Sequence, residues 1–327
     1  MKLPFVNFFG VLLLVLLLGG VACTYQVVKV VKPMIAPKEV VWKVGGVDYI
    51  SATQLTKRLG AKVAETKGKT KSVTVTKGGA TVQMTAEKDH LTYQSTHIFL
   101  QHPLKYQGSE VLVSENDVQN VLTPLLAPSL IPKKIAIPKT IVIDPGHGGK
   151  DPGATNNRLQ LQEKNLVLAI ALQLRTELSR RQYIVKMTRE KDEFKELEDR
   201  PRVTGDVFIS LHLNSSGTPN QSLGTEVHVL TRNQGSPGNA FNRWNTILGY
   251  LVVSRLVGVA QFRNRGLKMS NLAVLRNAMG PAILIELGFI NHDIEAKKLA
   301  DPAFQKKLVG GIANALDELK KVVIGCR

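Results

Sequence analysis

Two histidines and two glutamates stand where apolar runs stop or start, which is where α/β proteins place the side chains that meet ligands. Ile141-Val142-Ile143-Asp144-Pro145-Gly146-His147-Gly148-Gly149 is an apolar strand broken by proline and glycines, residues that let the backbone bend tightly around a projecting imidazole. Val207-Phe208-Ile209-Ser210-Leu211-His212 ends in a second imidazole, and Ala282-Ile283-Leu284-Ile285-Glu286 carries a carboxylate out of a strand too apolar to lie in water. An unpaired carboxylate there costs several kcal/mol, roughly, unless a proton or a cation compensates it. Glu163 opens the amphipathic helix of Leu166 and faces the same loop-rich end. Two histidines and a carboxylate are a standard protein set for a catalytic zinc, with the fourth position left to water. Each residue singly reads as a capped or hydrogen-bonded structural group, and Glu163 as a charge on a helix N-terminus. Their coincidence favours the metal.

Such a site needs a sheet to present it. From Lys139 onward apolar strands (140–143, 184–187, 207–211, 225–230, 282–287) alternate with amphipathic helices (165–178, 240–256, 302–319). That order predicts an α/β domain over 139–322, a mainly parallel twisted sheet flanked by helices. The series Leu166, Ile170, Leu174, Leu178 supplies one buried helical stripe. Upstream, residues 40–127 predict a small α+β domain. Ser72-Val73-Thr74-Val75-Thr76 and Ala80-Thr81-Val82-Gln83-Met84 alternate like half-buried strands around a Lys77-Gly78-Gly79 turn, and 51–59 and 114–122 have helical spacing, the first closing at Gly60. Pro128, Pro132 and Pro138 with Lys133 and Lys134 mark a linker over 128–138, and Pro33 and Pro37 mark another over 25–39.

Within residues 1–24, Phe5 to Ala22 form an apolar run that follows Lys2 and ends in small residues. They read as a cleaved export signal, a retained membrane helix, or a lipid anchor with Cys23 as the acylated residue; all three deliver the rest of the chain outside the membrane. The 43 Lys+Arg against 26 Asp+Glu give a formal charge of +17 over 327 residues, which favours a polyanionic neighbourhood of wall polymer or anionic membrane surface. Export weighs against nucleic acid, and no segment has the pattern of a nucleic-acid module. Two cysteines, Cys23 and Cys326, exclude a disulfide framework and a Cys/His zinc finger. His90, His97, His102, His228 and His292 are placed outside the site as surface or structural residues.

Asp144-Pro145-Gly146-His147-Gly148-Gly149, Gln162-Glu163-Lys164-Asn165, Ile209-Ser210-Leu211-His212-Leu213-Asn214 and Ile285-Glu286-Leu287-Gly288-Phe289, in this order and spacing, resemble the zinc-dependent N-acetylmuramoyl-L-alanine amidases. The similarity runs from Lys139 to about Leu319 and includes Thr188-Arg189, the Arg200 helix, Arg265-Gly266-Leu267-Lys268 and Val274-Leu275-Arg276. It departs at Leu213, where the family commonly has alanine, in a short stretch between Arg200 and Asp206, and at Asn291-His292. Residues 40–127 more weakly resemble the small N-terminal module of copper amine oxidases, without its Pro-Leu-Arg signature and without any reason to expect copper.

The first resemblance implies a peptidoglycan hydrolase with one Zn2+ held by His147, Glu163 and His212, and Glu286 as the catalytic carboxylate. The bond implied is the amide between the lactyl group of N-acetylmuramic acid and L-alanine. Lys268, Arg276, Arg263 and Arg265 are expected to line the approach to the cleft. The competing expectations are a zinc hydrolase of another wall amide and a wall-binding protein with a vestigial site.

Overall fold

β-branched and aliphatic runs decide where the sheet forms. The computed structural model describes residues 40–66, 71–231 and 236–327. The export or anchor segment at 1–24 and the linker at 25–39 lie outside them. No helix among the described residues is long and apolar enough to cross a membrane.

In chain order the first half contains β1 (Trp42–Val44), β2 (Val47–Ser51), α1 (Ala52–Leu59), β3 (Lys62–Thr66), β4 (Ser72–Lys77), β5 (Ala80–Thr85), β6 (His90–Tyr93), β7 (Thr96–Phe99), β8 (Lys105–Gln107) and β9 (Glu110–Ser114). A helical stretch of α2 (Glu115–Asp117), a π turn and α3 (Thr123–Leu126) follows. Ser51 and Gln54 close a capping box on α1, and Gly60 ends it with φ +61°. Gly78 and Gly79, both with positive φ, make the two-residue turn between β4 and β5 that the twist of a hairpin prefers.

The second half contains β10 (Thr140–Pro145), β11 (Thr155–Asn156), β12 (Leu161–Gln162), α4 (Glu163–Arg180), β13 (Ile184–Met187), β14 (Val207–Asn214), β15 (Thr225–Leu230), α5 (Asn242–Ala260), β16 (Asn264–Ser270), α6 (Ala273–Arg276), β17 (Ala282–Phe289), α7 (Asp293–Ala300) and α8 (Pro302–Gly325). One sheet of 11 strands runs β13-β10-β14-β17-β15-β16-β7-β6-β5-β4-β3, so the upstream meander and the downstream strands share it. Residues 39–327 form one compact unit.

The expectation of a mainly parallel sheet is corrected. β10, β13, β14 and β17 are mutually parallel, but β15 lies antiparallel to β17, and the hairpins of β3 to β7 are antiparallel throughout. The sheet is mixed. The reason is connectivity, because a hairpin turn reverses the chain whereas only a crossover returns it in the same direction.

Alternation sorts the strands between two cores. Ile141, Ile143, Ile209, Leu211, Val227, Leu267, Ile283 and Ile285 join α4, α5 and α8 in the larger core, where Leu166, Ile170, Leu174 and Leu178 are buried. Val142, Phe208, Leu230, Ala282 and Leu284 face the other way and are covered by Val274 and Leu275 of α6.

Candidate active site

The loop after β10 is built around His147, whose φ of +60° is a left-handed conformation uncommon for a side chain of this size. Its carbonyl oxygens are gripped from below. Arg189 donates from Nε to Pro145 O (2.9 Å) and from Nη2 to Gly146 O (2.7 Å) and Lys164 O (2.9 Å). Arg200 donates from Nη1 to Pro145 O (3.0 Å) and from Nη2 to His147 O (2.8 Å). Arg200 is itself held by Asp144, which also accepts from Thr188 and Ser210. All five of these side chains are buried with every group paired, as a charge in a dry interior requires. Gly148 and Gly146 are needed for space: a Cβ on Gly148 would meet Glu193 O at 2.2 Å, and one on Gly146 would meet the His212 ring at 2.2 Å.

The β11–β12 hairpin returns the chain so that Glu163 begins α4 beside that loop. Glu163 Oε1 lies 3.1 Å from His147 Nε2 and 3.0 Å from His212 Nδ1, and accepts the Leu213 amide at 2.9 Å. Its Oε2 accepts the Ala154 amide at 2.8 Å. On its other side, His147 Nδ1 meets Asp151 Oδ2 at 2.7 Å, the contact that fixes an imidazole so that its remaining nitrogen faces the site. One donor atom from each of His147, Glu163 and His212 lies within 4.8 Å of the others. The two imidazoles stand edge to face with centroids 4.9 Å apart.

The centre attracts positive charge. Burial opposes protonation of His147, but the hydrogen bond and charge of Glu163, then Asp151, outweigh it and take the imidazole up to about 9. His212 is likewise raised by Glu163 against its burial. Burial would raise Glu163, yet its two imidazole partners hold it well below the usual carboxylate range. Protons gather where a cation would act.

Glu286 is level with His212 in the β14–β17 register. Burial pushes it up to about 7, with His212 opposing and Glu163 assisting, and its Oε2 is buried without a hydrogen-bond partner among the described residues. Level with Glu286 on its other side is Glu226 of β15. This residue escaped the sequence reading, because a single acid in Thr225–Leu230 looks like ordinary strand alternation. It is buried and receives Lys268 Nζ (2.6 Å), Arg265 Nε (2.5 Å), Asn214 Nδ2 (2.9 Å) and His228 Nε2 (3.1 Å). Those contacts overcome the effect of burial and hold Glu226 well below the usual carboxylate range. Arg265 and Lys268 are therefore committed to an internal carboxylate and are only partly available to line the approach, while Arg276 turns onto Asn271.

Of the histidines set aside, His228 bridges Glu226 and Ser270 and His292 caps α7. His90 and His97 lie together on β6 and β7, and His102 gives its amide to Asp117. Leu213 buries its side chain in the core, away from the cleft.

Residues 141–318 match the Amidase_3 family, described as N-acetylmuramoyl-L-alanine amidase. The sporulation-specific N-acetylmuramoyl-L-alanine amidase of Bacillus subtilis is 38% identical over 184 residues, which cover 54% of this chain and 67% of that protein. A probable cell wall amidase, LytH, of Staphylococcus epidermidis is 33% identical over 181 residues, 55% of this chain and 58% of the relative. Among solved structures, an N-acetylmuramoyl-L-alanine amidase from Clostridium difficile 630 superposes with a TM-score of 0.50 at 32% identity, over 56% of this chain and 97% of that one. A match that takes in β10, β14, β17 and the head of α4 takes in every residue around Glu163, and the chain belongs to the N-acetylmuramoyl-L-alanine amidase family of peptidoglycan hydrolases.

Proposed function

We propose that this chain hydrolyses the amide joining the lactyl group of N-acetylmuramic acid to L-alanine, using one Zn2+ held by His147, Glu163 and His212. The observation that carries the reading is the meeting of those three donors within 4.8 Å, two from the ends of β10 and β14 and one from the head of α4. Two imidazoles and a carboxylate suit zinc. The chemistry a bound zinc supplies is activation of water near neutral pH and polarisation of the scissile carbonyl.

The chain's own groups do the rest. Asp151 orients His147, and the Leu213 and Ala154 amides orient Glu163. Glu286, unpartnered at Oε2 and poised near neutrality, takes a proton from the attacking water and delivers it to the departing nitrogen. The products are a lactyl carboxylate on the glycan and a free L-alanine amino terminus. The work takes place in the cell envelope, reached by way of residues 1–24 as signal, membrane helix or lipid anchor. Residues 40–127, with their likeness to the amine oxidase module, serve this enzyme as an accessory unit next to the catalytic residues 139–322.

The test incubates the full chain and Glu286→Gln with peptidoglycan, with and without a chelator, and assays new L-alanine amino termini and new reducing ends. Amino termini without reducing ends, lost on chelation, are the expected result. Glu286→Gln should retain metal while its rate falls by about 10²- to 10⁴-fold, the usual size of a proton-shuttle contribution. Termini other than L-alanine would move the reading to a different wall amide.

A further inference from the structure

The joint sheet carries the catalytic row onto the meander. Glu226 is level with both Glu286 and Gly266. Gly266 in turn lies against β7 so closely that a Cβ would come within 2.2 Å of His97 O, and its φ of +88° suits glycine. From His97 the row continues through Thr92 and Gln83 to Thr74, each level with the next. At the ordinary strand spacing, Thr74 is about 29 Å from Glu286, a distance of several sugar rings.

The outward side of this row is open. Val73, Val75, Val82, Met84, Leu91 and Ile98 point into the core, so Thr74, Gln83, Thr92 and His97 point the other way, toward the catalytic face. Gln83 and His97 are exposed, and Thr74 and Thr92 are half-buried. Gln83 and Thr74 make no side-chain hydrogen bond among the described residues, whereas Thr92 Oγ1 and His97 Nδ1 are only weakly paired at 3.3 Å. His97, His90 and Phe99 form a ring cluster beside them, with centroids 4.7 and 5.5 Å from His90. Lys268, seated on Glu226, lies over the Phe99 ring at 5.9 Å and joins the cluster to the active site.

We propose that the open face of β4 to β7 is a binding platform for the glycan strand of peptidoglycan, continuous with the catalytic centre. This rests on the amidase reading, which sets the scissile bond at Glu286. The chemistry favours glycan over stem peptide. Hydroxyl, amide and imidazole groups match a polymer of hydroxyls and acetamides, and ring faces accept the apolar faces of sugars. The row beyond Glu226 has no charged side chain to meet stem-peptide carboxylates, the neighbouring Lys268 being paired with Glu226, and partial desolvation together with the adjacent His90 lowers His97 and favours its neutral form. The strands are paired on both sides, so a peptide cannot add to them as a further strand.

The experiment measures binding of the Glu286→Gln chain to glycan strands stripped of their peptides, with and without Gln83→Ala/Thr92→Ala/His97→Ala, at low and high salt. Binding that withstands salt and falls at least about tenfold in the triple variant is expected, the change that one or two lost hydrogen bonds produce. Site-resolved carbethoxylation of His97 in the unsubstituted face is the second measurement, and stripped glycan should slow it. Undiminished binding in the triple variant with no protection of His97 overturns the platform. Binding of intact sacculi alone, lost when peptides are removed, also overturns it by making the stem peptide the occupant. Cleavage of a small soluble muramoyl-peptide by the wild-type chain is scored separately, so that failure of the amidase reading is distinguished from failure of the platform.

Discussion

Arg189 and Arg200 make five hydrogen bonds to backbone oxygens at and around the His147 loop, and it is they that keep a left-handed histidine in place. A planar fork reaches two acceptors at fixed angles, which an ammonium cannot do. Arg200→Lys should keep the charge beside Asp144 and lose the grip on His147 O. We expect roughly 2 kcal/mol less stability in denaturant unfolding and about 10- to 100-fold weaker metal binding in competition with a chromophoric chelator. A loss of stability with unchanged metal affinity would make Arg200 a core residue with no part in positioning His147. At this scale the sequence was informative where a polar residue interrupts an apolar run, as at His147, His212 and Glu286. Glu226 was not legible, because its importance comes from Lys268, Arg265 and Asn214, which reach it from other strands.

Helix α4 delivers Glu163 at its first residue, so whatever fixes the far end of α4 helps to fix the site. There Arg181 bridges Glu177 (2.7 Å) and Asp317 of α8 (2.7 Å), and Tyr183 donates to the same aspartate. The hydrogen bond from Arg180, aided by Arg181 against slight burial, holds Glu177 at about 2, below the roughly 4.3 of an unfolded glutamate. A folded value below the unfolded one means that the stabilisation is full above pH ~4.3 and is lost as the pH falls toward 2. Glu177→Gln should therefore melt about 2 °C lower than wild type near neutrality, and the two curves should converge only as the pH is lowered from about 4.3 toward 2. A constant gap would assign the effect to packing. The stripe Leu166, Ile170, Leu174, Leu178 made α4 readable from its sequence. β16 was not readable as a strand, because Arg265 and Lys268 break its apolar pattern for the sake of Glu226. The antiparallel β15 was equally hidden, since direction depends on the path of the connection and leaves no mark on Thr225–Leu230.

For the molecule as a whole, composition and strand order indicated two units, while the structure joins their strands edge to edge. The contact includes the bridge between Leu267 and Ile98, the hydrogen bond from Asn264 to Thr96 and the absence of a side chain at Gly266, and none has a periodicity that a sequence pattern would reveal. A chain cut at residue 133 would leave β16 without β7. Sedimentation of that fragment should show concentration-dependent association that the full chain lacks, and a monomeric fragment would mean that another segment folds over the strand. A sheet interrupted at β16 ends in unpaired amides and carbonyls, the surface on which stray strands polymerise. The meander thus acts as a stopper, whatever else it binds: it moves the sheet's terminus out to β3, and β16 can commit its glycine, its bulge at Arg265 and its cations to Glu226 instead of to the defence of an exposed edge.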